Sequence, residues 1–112
     1  HIADYEPVYA DRMKRVIAEE QPTLLAGSPD AFVARLAYDR RDLDEELALI
    51  EVVRSQMARI LRSVQPQDFE RTGVHSVRGP VALKKLLQQI TDHIPHHLAF
   101  VEEKKRAMGL VA

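Results

Sequence analysis

The sequence predicts an all-α protein, and two observations support this fold class. Apolar residues recur every three or four positions across long segments, which is the spacing of a buried helix face. Short groups of proline, glycine and polar residues separate these segments, as they do between helices. The 112 residues match the size of one domain. We therefore expect a single helical bundle domain over residues 1–112.

Four helices are predicted in order. The first spans residues 2 to about 20, and Pro7 lies in its first turns. Ser28 is placed to cap a short helix that begins at Pro29 and ends near residue 38. A long helix covers residues 42–64, and the last runs from residue 80 to about 108. Residues 65–79 are too few and too polar to predict a sheet, although a brief extended turn at 74–77 fits the pattern.

Composition excludes several classes of function. The formal net charge is -1 and no basic block occurs, so we expect neither a nucleic-acid partner nor an anionic membrane surface. No apolar run approaches the roughly 20 residues that span a bilayer. Cysteine is absent, which removes disulfides, thiolate ligands and a cysteine nucleophile. We expect a cytoplasmic protein, and we find no motif for an organic cofactor.

The last predicted helix contains the chemically informative residues. His93 and His97 are four residues apart, which places two imidazoles on one face, about 6 Å apart along the helix axis. His97 lies within the apolar stripe and His93 at its edge, whereas His96 lies on the polar side. His93 and His97 are therefore candidate ligands of one metal ion. The alternative is a packed histidine pair that hydrogen-bonds its neighbours, and a protein metal site needs a third ligand.

Other polar residues receive structural interpretations. Glu6 lies near the inner face of the first helix, where it would support the site or, as we favour, pair with an arginine such as Arg40. Arg54 interrupts the apolar seam of the long helix and predicts an interhelical ion pair rather than substrate binding. We expect Tyr5 in the core and His75 in contact with solvent.

Three motifs are similar to those of the DinB/YfiT-like family. The segment HIPHHLAFVEEKKRA, which begins at His93, resembles the family's last-helix motif. The opening HIADYE resembles its second-helix motif, and RTGVHSVRG, which begins at Arg71, resembles the loop before the last helix. The resemblance covers nearly the whole chain.

The resemblance implies an up-down four-helix bundle whose first helix is missing from this chain. It also implies that His1, His93 and His97 hold one divalent ion, most often nickel or zinc. A homodimer is a further expectation by analogy with the family.

Such a centre permits two reactions. Three neutral imidazoles leave the ion its double charge and an open position, so it can activate water for hydrolysis or ionise an incoming thiol. The resemblance favours a transferase that uses a low-molecular-weight thiol and a small electrophilic substrate, before a hydrolase. The sequence identifies no catalytic residue beyond the ligands. The alternative is a non-catalytic metal-binding or dimerising helical module.

Overall fold

The described part of the chain contains three long α-helices and one short one. The structure, a computed structural model, describes residues 1–107, without the side chains of residues 96, 97 and 99–107. The long helices are α1 (Ile2–Ala18), α3 (Leu43–Ser63) and α4 (Leu83–Ala107), and α2 (Pro29–Arg35) is the short one. Each predicted helix is present, with ends that differ by a few residues. No helix in the described part is long and apolar enough to cross a bilayer.

Side-chain caps fix where two of these helices begin. The Ser28 hydroxyl accepts a hydrogen bond of 3.3 Å from the backbone N–H of Ala31, and Pro29 occupies the first turn of α2. The Asp42 carboxylate accepts a hydrogen bond of 3.0 Å from the N–H of Glu45 at the start of α3. The cap predicted at Ser28 is confirmed.

Helix α1 is the central helix because it packs against both α3 and α4. Their shared core consists of Ala10, Met13, Val16, Leu24, Met57, Leu83, Leu86 and Ile90. The predicted apolar seam of α3 is buried at Met57, but Leu43 and Leu47 near the start of α3 are 70% and 55% exposed. These two leucines line an open groove together with His1 and Leu98.

A small sheet flanks the helices, so the expectation that residues 65–79 form none was wrong. Strands β1 (Thr23–Leu24), β2 (Thr72–His75) and β3 (Gly79–Ala82) lie in the order β1-β2-β3. Strand β1 pairs with β2 in parallel and β2 with β3 in antiparallel fashion. The strands are too short for an alternating pattern to be visible in the sequence, and the β1–β2 pairing is distant along the chain. Gly79 supplies the positive φ of 80° that closes the hairpin.

The sheet is attached firmly to α1. The Arg71 guanidinium, just before β2, donates hydrogen bonds of 2.9 Å to the carbonyls of Val16 and Glu19 at the end of α1. Leu24 of β1 is fully buried in the helical core. The β2–β3 hairpin is therefore held beside α1 and the beginning of α4, where it lines the pocket described below.

Candidate metal centre

His1 and His93 meet at one end of the bundle. His1 is the N-cap of α1, and its carbonyl accepts a hydrogen bond of 3.1 Å from the N–H of Tyr5. His93 lies in α4, 92 positions away along the chain. The packing of α1 against α4 brings their two Nε2 atoms to 3.3 Å, and both side chains are half-buried. The resemblance predicted that these two residues share a site, and the structure does bring them together.

The separation of these two nitrogens fits a shared ion. Two imidazole nitrogens bound about 2.0–2.1 Å from a tetrahedral ion would lie about 3.3–3.4 Å apart. The observed 3.3 Å agrees with this value. The same distance also suits a hydrogen bond between two neutral imidazoles, the alternative interpretation from the sequence. Nitrogen donors of this kind suit zinc and nickel.

The predicted third ligand, His97, belongs to α4 one helical turn after His93. Its side chain lies outside the described residues, as does that of His96. Among the side chains that the structure does describe, no group of three histidine or acidic residues gathers as a metal site. Of the three predicted ligands, the structure therefore describes the side chains of two, His1 and His93.

An aromatic wall covers one side of the histidine pair. The Tyr5 ring centroid lies 4.6 Å from that of His1 and 6.1 Å from that of His93. Phe32 of α2 also packs against Tyr5, with 5.8 Å between the two ring centroids. Tyr5 is buried, as predicted, and burial raises the pKa of its hydroxyl, while the charge of Arg12 partly opposes the shift. This wall restricts the access of water to the two imidazoles.

Arg54 ties together the two helices that bear the histidines. Its Nε donates a hydrogen bond of 2.8 Å to Glu6 of α1, and its Nη2 donates one of 2.9 Å to the Ile90 carbonyl of α4. Glu6 is 2% exposed. The predicted interhelical ion pair of Arg54 is confirmed, but Arg40 was the wrong partner for Glu6. Partner choice depends on helix packing, which the sequence alone does not display.

Asp4 anchors the start of α1 to the segment before α3. The Arg41 guanidinium donates two hydrogen bonds to the Asp4 carboxylate, at 2.7 and 2.8 Å, and the Tyr38 hydroxyl donates a third at 2.7 Å. The hydrogen bonds from Arg41 lower the pKa of Asp4. Burial, together with the bond to Asp4, raises the pKa of Tyr38 to about 12. This cluster holds the first turn of α1, and with it His1, in place.

His75 was expected in solvent but is half-buried in the hairpin. Its Nδ1 accepts hydrogen bonds of 3.1 Å from the backbone N–H groups of Val77 and Arg78. Burial lowers the pKa of His75, and the positive charges of Arg12 and Arg78 lower it further. Arg12 is a buried residue that the sequence reading overlooked. The sequence did contain a signal for this burial: Arg12 lies at helical spacing from Tyr5 and Val16, on the buried face of α1.

Comparisons of sequence and fold with known proteins identify the family of this chain. A candidate metal-dependent hydrolase of Oceanobacillus iheyensis is 29% identical over 101 residues, which are 90% of this chain and 58% of that protein. YfiT of Bacillus subtilis, also named as a candidate metal-dependent hydrolase, is 26% identical over 110 residues, 97% of this chain and 62% of YfiT. The chain thus spans less than two thirds of the length of these curated relatives.

The fold comparison agrees. A solved structure of YfiT from Bacillus subtilis, described as having an unusual four-helix bundle topology, matches with a TM-score of 0.89 at 26% identity. The match covers 99% of this chain and 64% of that one. The sequence profile of the DinB superfamily matches residues 1–101. The family and the four-helix bundle fold predicted from the motifs are confirmed, and the chain belongs to the DinB superfamily.

Proposed function

We propose that this chain holds one divalent metal ion with His1, His93 and His97, and that the protein uses it in a nucleophilic transfer reaction. The approach of the His1 and His93 Nε2 atoms to 3.3 Å is the observation on which the proposal rests. The relatives named as metal-dependent support it. Nickel or zinc is the proposed ion, since imidazole ligands suit both.

The surrounding residues favour a thiol as the nucleophile. Asp4 and Glu6, the carboxylates that follow His1, are both bound by arginines, so neither is available as a general base for water. A thiol has a reference pKa of about 8.5, against about 15.7 for bulk water, so a divalent cation has far less to do to ionise it without such a base. A low-molecular-weight thiol and a small electrophile are therefore the proposed substrates. Hydrolysis is the second candidate, because both curated relatives are named as hydrolases.

The roles of this chain's own residues follow from their contacts. Bound at the histidines, the ion would supply Lewis acidity to the nucleophile. Arg54 keeps α1 and α4 in register, which fixes the distance between His1 and His93. Tyr5 and Phe32 exclude water from one side of the pair. Lower local polarity strengthens every charge interaction there.

A pair of activity assays tests the proposal. Protein loaded with zinc or nickel is given cysteine and an activated aryl halide, and separately p-nitrophenyl acetate. We expect metal-dependent loss of the thiol, absent from a His93→Ala variant that keeps its helical circular dichroism. Metal-dependent ester hydrolysis alone would replace the transferase with the hydrolase. Loaded protein inactive in both assays would contradict both and favour the non-catalytic module.

The oligomeric state is a separate proposal. We expect a homodimer, as the family analogy implies. Sedimentation velocity measures this directly, and a species with the 12.8 kDa mass of one chain at all concentrations would contradict it.

A further inference from the structure

A pocket lined by positively charged residues lies beside the histidine pair. It is partly open to solvent and has a volume of about 420 Å³, within the usual range of small-molecule sites. Helix α1, the β2–β3 hairpin and the beginning of α4 form its walls. Tyr5 belongs both to this pocket and to the aromatic wall over His1 and His93. A molecule in the pocket would therefore lie one tyrosine ring away from the proposed ion.

The pocket is lined by cations without anions to neutralise them. Arg12, Arg78 and Lys85 all line it, and no acidic residue is among its described lining residues. Arg12 is only 7% exposed, and in the described part of the chain no carboxylate pairs with it. Its Nη2 donates to the Leu25 carbonyl at 3.0 Å, and its guanidinium lies 5.1 Å from the centre of the Tyr9 ring. A buried charge of this kind is costly unless an anion accompanies it.

Two hydrogen-bond donors on residues that line the pocket lack acceptors in the described part of the chain. The Arg12 Nε and the Tyr5 hydroxyl are both buried, and neither has a hydrogen-bond partner among the described residues. His75, whose Nδ1 accepts two backbone N–H groups, must carry its ring proton on Nε2 when neutral and so offers another donor. A ligand that completes this site must bring acceptor oxygens and negative charge.

We propose that this pocket binds the carboxylate or phosphate group of a small anionic substrate, with Arg12 and Arg78 as its principal ligands. The inference rests on the proposed function and extends it, because a molecule held there would lie against Tyr5, the ring that also covers His1 and His93. A guanidinium matches both groups, since its planar donors bind two oxygens of either. Lys85 adds charge at the rim. The proposed substrate is therefore an anion, and the pocket would recognise its charged group without the metal ion.

Calorimetric titration of the metal-loaded protein with inorganic phosphate, and separately with succinate, tests the proposal. We expect saturable binding of at least one probe, and the tighter one identifies the group. Arg78→Gln and Arg12→Gln should each weaken binding by about tenfold or more, as expected when a charge-assisted hydrogen bond is lost. Arg59→Gln, which removes the same charge from an exposed position on α3, should change it by less than about twofold.

Two controls keep the outcome clear. Arg78 is exposed, so Arg78→Gln is expected to fold even if replacement of the buried Arg12 disturbs the protein. Binding of neither probe, or equal affinity in Arg78→Gln, Arg59→Gln and the wild type, would overturn the proposal. Wild-type protein freed of metal by chelation should still bind the probe, and Arg78→Gln should still bind the metal. The two proposals can therefore fail separately: loss of metal binding leaves anion binding intact, and loss of anion binding leaves metal binding intact.

Discussion

Helix α1 carries buried charges in two regions, and among the described residues only those of the first region are paired with charges of opposite sign. Near its start, Asp4 and Glu6 are each bound by an arginine from beyond α1, Arg41 and Arg54. Two turns later, Arg12 is nearly as buried, yet in the described part of the chain no carboxylate neutralises it. The first region uses charge to hold elements together, and the second keeps charge beside a pocket.

The difference distinguishes a structural charge from one suited to a ligand. A buried ion pair matters to stability chiefly because removing one partner leaves the other charge buried and uncompensated, which is strongly destabilising. An unpaired buried cation lowers stability, and its retention is explained if an anion binds to it. Substitutions in the two regions should therefore affect stability to different degrees.

The largest loss of stability is expected when Glu6 loses its partner. Arg54→Ala leaves the buried Glu6 carboxylate uncompensated, which should cost about 3–5 kcal/mol of unfolding free energy. Urea denaturation followed by circular dichroism measures this, with the exposed Arg59→Ala of the same helix as the matched control. A loss no greater than that of Arg59→Ala would show that Arg54, through Glu6 and the Ile90 carbonyl, does not hold α1 and α4 together.

A smaller, pH-dependent loss is expected at Asp4. Asp4→Asn should cost about 1.5–3 kcal/mol at neutral pH, the range for hydrogen bonds to a charged group. The folded-state pKa of Asp4 lies below the ordinary value of 3.8, so the stabilisation that Asp4 provides is fully present above that pH. It is lost as pH falls through the lower, folded-state value. Urea midpoints of the two proteins should therefore converge in acid, and a constant difference from neutral to acidic pH would refute this account.

The smallest loss is expected at Arg12. Arg12→Met keeps the length of the side chain and removes the unpaired charge, so the loss of the bond to Leu25 should be largely offset. We expect a change of less than about 1 kcal/mol in the unfolding free energy, with loss of anion binding. Destabilisation as large as that of Arg54→Ala would mean that Arg12 belongs to the structural region, and the contrast between the two regions would fail.

The sequence predicted those features that depend on periodicity. Helices α1, α3 and α4 span 17, 21 and 25 residues, long enough for a repeating apolar face to be recognised. The motif around His1 and the spacing of His93 and His97 identified the candidate ligands before any packing was known. Local chemistry also placed the Ser28 cap correctly.

Features that depend on distant packing were not predictable in this way. Strand β1 has two residues and pairs with β2, which lies about 50 positions later. The partner of Glu6 is Arg54 rather than Arg40 because α3 presents Arg54 to the interface between α1 and α4. The burial of Arg12 and His75 arises where the hairpin meets α1, so neither residue stood out as part of a pocket. Short elements and tertiary partners have no periodic signature.

The most direct test of the metal centre is metal content by plasma mass spectrometry. The wild type, His93→Ala, His97→Ala and the control His96→Ala are incubated with zinc or nickel and then dialysed at neutral pH. We expect about one ion per chain in the wild type and in His96→Ala, and near-complete loss in the other two with helicity retained. No bound ion in the wild type, or equal metal content in all four proteins, would contradict the account and make His1 and His93 a packed, hydrogen-bonded pair.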